Sequence, residues 1–202
     1  MGKSAGNFVS RAGEKLSGAL DAFALDVSGA ACADFGCNIG GFTDCLLRRG
    51  ASKVYAVDTG YGQFAWKLRN DSRVVVMERT NALYCPPPQS VDIVTIDVAW
   101  TPQELIVPAA VRWLKAGGSI VSLLKPHYEL AKMQRRTPAA AIGEVRAGEV
   151  CLAICGRLAA LGCCVRAAVR SALRGKGGNV EFFVLVTPAP AGASISGGQS
   201  VQ

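Results

Sequence analysis

Short apolar runs alternate with amphipathic stretches along most of the chain. Residues 31–36 (ACADFG), 53–58 (KVYAVD), 73–78 (RVVVME), 91–97 (VDIVTID) and 119–125 (SIVSLLK) have the length and apolar content of buried strands. Between them, residues 40–50, 62–71, 102–118 and 144–162 repeat apolar positions at helical spacing, and glycine ends several of them. An opening helix is expected over 10–23, where Leu16, Leu20 and Phe23 make one stripe and Lys15 sits beside it. Two further apolar runs, CCVRAAVRSA and NVEFFVLVTP, close the pattern as strands with no helix between them. Strands alternating with helices predict an α/β fold, a mostly parallel sheet with helices on both faces. The last two strands should pair antiparallel at its edge. Residues 131–143 read as a mobile segment, and 189–202 as a disordered tail with almost nothing to bury.

Composition narrows this picture without redirecting it. The 202 residues are half apolar, enough for one domain with a buried core. The N-terminus lacks the apolar stretch of a secretory signal, and Gly6 breaks the myristoylation pattern that Met-Gly would open. The longest apolar tract, 150–165, is interrupted by Arg157 and is short for a membrane span. A cytoplasmic protein is expected. The eight cysteines form no CxxC pair and the single histidine is His127, so no metal is expected and the thiols should be reduced. Cys151 and Cys155, one helical turn apart, read as a small-residue packing face. The formal charge of +7 points to an anionic partner, nucleic acid above all.

In an open α/β sheet, ligands bind at the carboxyl ends of the strands. The polar residues there are Asp34 to Gly41, Asp58, Asn81, Asp97 and Lys125. The loop DFGCNIGGF brings Gly36, Gly40 and Gly41 to a helix N-terminus, where backbone approaches a ligand closely. Its spacing is not the dinucleotide fingerprint, and such a loop also serves as a plain strand-to-helix turn. Asp58, ending its strand, is placed to accept from both hydroxyls of an adenosine ribose, or else to cap the glycine-rich turn that follows. A lysine ending SIVSLL is unusual. Glu181 interrupts an apolar strand, where an unpaired carboxylate is costly, so a basic partner is expected. Lys15, Asp97, Lys125 and Glu181 are expected to converge above the sheet.

The stretches VSRAGEKL, DFGCNIGGFTDCLLRRGASKVYAVDTGYGQFAWKLRND, VVVMERTNA, VDIVTIDVAW, LLKPHYEL and GGNVEF, in this order over about 8–188, resemble the hemolysin A (TlyA) branch of the FtsJ-like RNA methyltransferases. The resemblance implies a Rossmann-like methyltransferase domain over 1–188, with residues 8–24 as the helix carrying Lys15. It implies S-adenosyl-L-methionine as cofactor and transfer of a methyl group to a ribose 2′-hydroxyl, with ribosomal RNA as the expected partner. It implies a catalytic tetrad of Lys15, Asp97, Lys125 and Glu181. Asp34, Gly36, Cys37, Asn38, Gly40, Gly41, Phe42, Asp58, Asn81 and Asp97 would bind the cofactor. Relatives carry a small RNA-binding domain ahead of the methyltransferase that this sequence does not show. RNA is therefore expected to be gripped by a basic surface drawn from Arg11, Lys132, Arg135, Arg136, Arg174 and Lys176, or by a partner. The loop reads GCNIGG where relatives have smaller residues, Ala12 stands for a usual glycine, and DVAW replaces a Ser-Phe version.

Lys125 is the expected base for the 2′-hydroxyl, and Lys15 the group holding a phosphate or the developing oxyanion. The alternative is a nonenzymatic RNA-binding or ribosome-assembly factor that keeps the fold. A small-molecule methyltransferase fits the basic balance poorly, a nicotinamide dehydrogenase fits the loop spacing poorly, and a pore finds no membrane segment.

Overall fold

The computed structural model describes residues 8–135, 137 and 141–189. Among these residues seven strands form one sheet in the order β3-β2-β1-β4-β5-β7-β6. β1 (Ala31–Phe35), β2 (Lys53–Val57), β3 (Val74–Met77), β4 (Val91–Ile96) and β5 (Leu114–Leu124) run parallel. β7 (Phe182–Pro188) enters antiparallel between β5 and β6 (Cys163–Arg170). The expected architecture is therefore present. The central strand β1 is buried at every position, as a strand covered on both faces must be.

Two apolar layers sandwich the sheet. On one face α4 (Gln103–Val111) and α6 (Glu144–Ala160) bury Ile106, Val107, Ile154 and Leu158 with Phe35 and Trp113. On the other, α1 (Ala12–Ala22) and α2 (Gly41–Arg48) bury Leu16, Leu20, Phe42 and Leu46 with Val54 and Phe183. Leu16 and Leu20 of the predicted stripe are fully buried, while Phe23 lies half-buried at the helix end.

Three elements depart from the sequence pattern. The helix expected over 102–118 ends at Val111, because Trp113 is drawn into the core edge-on to Phe35, at 5.0 Å between ring centroids. β5 then begins at Leu114 and passes an irregularity near Gly117, whose φ is 78°. The helix expected over 62–71 shrinks to α3 (Trp66–Arg69), since Gly62 turns at φ 76° and Phe64 is buried beneath the loop at Gly40. A helix the pattern left unassigned, α5 (Pro126–Met133), follows β5 directly, with proline in its first turn where no N–H is missed. It takes up the start of the segment expected to be mobile. Residues 136 and 138–140 of that segment and 190–202 of the expected tail lie outside the described residues.

Candidate active site

Four charged side chains gather at the strand ends as two ion pairs. Lys15 Nζ lies 2.6 Å from Glu181 Oε2, and Lys125 Nζ lies 2.5 Å from Asp97 Oδ1. Sheet register explains the proximity of the pairs. Leu124 of β5 is opposite Phe182 of β7, so Lys125, one residue on, stands beside Glu181, one residue back. Asp97 leaves the neighbouring strand β4, its N–H bonded to the Phe35 carbonyl of β1 at 2.9 Å. Glu181 is 3% exposed, so its charge is compensated by Lys15 rather than by water.

Lys15 reaches this point because α1 crosses α2 closely. A Cβ on Gly41 would run into Ser10 Oγ and lie 2.9 Å from Ala12 Cβ. A Cβ on Gly13 would lie 2.9 Å from the Gly41 carbonyl oxygen. The approach needs glycine on both helices. Asp44 of α2 accepts from the Val9 N–H at 2.9 Å, and Arg49 donates to the Ser17 carbonyl at 2.9 Å, fastening both ends of the crossing.

Beside the ion pairs runs a cleft over the carboxyl ends of β1, β2 and β4. Its larger cavity, about 290 Å³, is lined by Gly36, Asp58, Asn81, Asp97, Trp100 and others. A smaller one of about 120 Å³ lies between the loop and the start of α1, with Ser10, Cys37, Asn38, Phe42 and Asp97 in its wall. Gly36, Asn38 and Asp97 border both. Ile39 lines the smaller cavity yet is 43% exposed, so part of its bulk faces solvent.

The loop glycines do different work. Gly36 has φ 82°, and a Cβ there would lie 2.6 Å from the Asp97 carbonyl oxygen. Gly40, at φ 100°, caps α2 against Leu68 and Phe64. Asn38 takes a left-handed φ of 46°, a conformation asparagine tolerates. Its N–H donates to Asp58 at 2.8 Å, and the Gly60 N–H donates to the other Asp58 oxygen at 2.7 Å. Asn81 accepts from the Leu83 N–H at 3.0 Å. Burial raises the Cys37 thiol pKa, so it presents a neutral wall and not a nucleophile.

Asp34 is wholly enclosed by protein. Thr43 donates to it at 2.7 Å and Thr95 at 3.3 Å, joining β1 to α2 and β4 under the loop. Burial pushes its pKa up to about 7, against the Thr43 hydroxyl and with the charge of Asp97. His127 is also buried, and burial with the nearby Lys125 charge lowers its pKa, leaving a neutral imidazole at pH 7. Its ring packs on Tyr128 at 4.4 Å, and Tyr128 meets Trp100 edge-on at 5.6 Å. Trp100 is 76% exposed at the mouth of the larger cavity.

Four of the six expected RNA contacts have described side chains. Arg11 is exposed just before α1, and Arg135 is exposed after α5. Lys132 is half-buried against Glu129 at 2.9 Å. Arg174 is bonded to Glu144 and, at 2.9 Å, to the Gly178 carbonyl. Arg136 and the side chain of Lys176 lie outside the described residues. Sequence reasoning did not single out Ser10, Gly13, Trp100 or Gly175. The close Ser-Arg-Ala-Gly and Gly-Lys-Gly-Gly clusters were the available signal for three of them. Among the described residues no three metal-ligating side chains cluster, and no helix is long and apolar enough to cross a membrane.

The FtsJ-like methyltransferase family matches residues 8–187. The Mycobacterium tuberculosis protein named 16S/23S rRNA (cytidine-2′-O)-methyltransferase TlyA is 44% identical over 182 residues, covering 88% of this chain and 67% of that protein. Bacillus subtilis YqxC is 40% identical, covering 88% of this chain and 64% of YqxC. The chain thus spans about two thirds of the length of these relatives. A solved structure of a hemolysin-named protein from Streptococcus thermophilus superposes with a TM-score of 0.85 at 34% identity, covering 94% of this chain and 70% of that one. With the family match running from just ahead of α1 into the last residues of β7, this chain belongs to the FtsJ-like methyltransferases.

Proposed function

We propose that the protein transfers a methyl group from S-adenosylmethionine to a ribose 2′-hydroxyl of ribosomal RNA. The relatives' names supply the substrate class, and the paired charges at the cleft supply the chemistry. The residues present fit the cofactor. Asp58 lines the larger cavity, and each of its oxygens keeps a lone pair beyond the single N–H it accepts, suited to two ribose hydroxyls. Val57, Ala82, Val98 and Ile106 give that cavity an apolar lining for a purine, with Asn81 at its edge. Gly36, Asn38 and Phe42 border the smaller cavity, where the methionine end would lie. Trp100 offers a flat exposed face at the cleft mouth against which a nucleobase stacks.

When bound, S-adenosylmethionine supplies the methyl group from a sulfonium. In this reading the Lys125 ammonium first releases a proton to solvent, and its Nζ then takes the hydroxyl proton while the oxygen attacks in line. Asp97 holds Nζ toward the cleft and stabilises the ammonium that results. Lys15, fixed by Glu181, presents a positive charge to the oxygen as it develops negative charge. The observation that carries this reading is the 2.5 Å Lys125–Asp97 pair, with Asp97 in the wall of both cavities.

Lys125→Ala tests it. Methyl transfer to ribosomal RNA should fall by about a hundredfold or more. Calorimetric affinity for S-adenosylmethionine should stay within a few-fold of the unmodified protein. Near-normal turnover would remove Lys125 as the base. Absence of cofactor binding at millimolar concentration would instead favour an RNA-binding factor without methyl transfer.

A further inference from the structure

We infer that Gly175 is a positioning residue for methyl transfer, because the space a side chain would need there is where the Glu181 carboxylate lies. This rests on the proposed role of the Lys15–Glu181 pair. A Cβ built on Gly175 would clash with Glu181 Oε1 and lie 2.6 Å from Cδ and 3.2 Å from Cγ.

The backbone gives no other reason for glycine. Gly175 has φ −70° and ψ −178°, a conformation open to any residue. Among the described residues, the three atoms nearest its missing Cβ all belong to Glu181. Gly175 therefore differs from Gly36 and Gly40, which carry positive φ as well as close contacts.

The loop that holds Gly175 is tied down on several sides. The Gly175 N–H donates to the Asn179 carbonyl at 2.9 Å, and the Ser171 N–H donates to the Glu181 carbonyl at 2.9 Å. Asn179, buried, accepts from the Ile142 N–H ahead of α6 at 3.2 Å. Arg174 bonds the Gly178 carbonyl and Glu144 of α6. With the main chain held, an added methyl group is relieved most easily by turning the Glu181 side chain. That motion takes the carboxylate away from Lys15 Nζ.

The test is a double-mutant cycle on Gly175→Ala and Glu181→Gln, read as kcat for methyl transfer from S-adenosylmethionine to ribosomal RNA. Melting temperature and cofactor affinity are measured alongside. Gly175→Ala should lower kcat by about tenfold or more, with melting temperature and cofactor affinity near those of the unmodified protein. In the Glu181→Gln background it should lower kcat by much less, because the carboxylate it displaces is already gone. A crystal structure of Gly175→Ala should show the carboxylate turned from Lys15. Unchanged kcat in Gly175→Ala beside a crippled Glu181→Gln overturns the role of Gly175 and leaves the reading of the pair intact. A full additive loss in the double variant, or a Gly175→Ala protein that does not fold, also overturns it. Normal turnover in Glu181→Gln overturns the reading of the pair, and the positioning role with it.

Discussion

Asp34 is a buried carboxyl whose ionisation the fold must accommodate without water. Its pKa rises from the ordinary 3.8 to about 7, chiefly through burial. Between those values the native state holds a proton that the unfolded chain has released. Stability attributable to Asp34 therefore falls as pH rises from about 4 to about 7, by up to about 1.4 kcal/mol per pH unit, and is level above. Urea unfolding of Asp34→Asn across this range should lack that decline, whatever its absolute stability. Parallel profiles for the two proteins would contradict the burial argument. Individual charges of this kind were partly legible in the sequence. A lysine closing SIVSLL and a glutamate inside NVEFFVLV are conspicuous because the runs around them are apolar. Their convergence with Lys15 and Asp97 was expected, but which lysine pairs with which carboxylate was not legible, since the Lys15–Glu181 and Lys125–Asp97 pairings depend on which strands become neighbours. The enclosure of Asp34 and the engagement of Arg174 by Glu144 also appear only once the chain is folded.

The crossing of α1 over α2 decides where Lys15 stands. Gly41→Ala would press a methyl group against Ser10, and Ala12 lies too close for the helix to yield locally. The crossing should open, costing about 1–3 kcal/mol by chemical denaturation. Methyl transfer should fall with it as Lys15 leaves Glu181. Unchanged stability and turnover would show that the close approach is dispensable. The sequence showed α1 through its leucine stripe, but the glycines read there as room for a ligand also provide room for protein. Gly41 admits the neighbouring helix, as the unassigned Gly13 does from the other side, and Gly40 seats Phe64 and Leu68. The shortened α4 has a comparable cause. Helical spacing continued through residues 112–116, but burying Trp113 against Phe35 and Tyr55 outweighed local propensity.

Over the whole molecule, the sheet order brings β4, β5 and β7 side by side, and with them the three charges that close the site around Lys15. Alternating strands and helices made that architecture readable from the sequence. The basic surface was less so, because a net charge of +7 does not say which cations are already paired. Arg11 and Arg135 are exposed, whereas Lys132 is engaged by Glu129. If the two arginines contact phosphates, neutralising both should lower the slope of log affinity for ribosomal RNA against log salt by about 1 to 2. An unchanged slope would place the RNA elsewhere. The proposed ribose methylation of ribosomal RNA at this cleft is tested by mapping 2′-O-methyl groups on ribosomal RNA incubated with S-adenosylmethionine and the protein. A discrete methylated ribose is expected with the unmodified protein and none with Lys125→Ala. No new 2′-O-methyl group with the unmodified protein, or the same group with the variant, would contradict it.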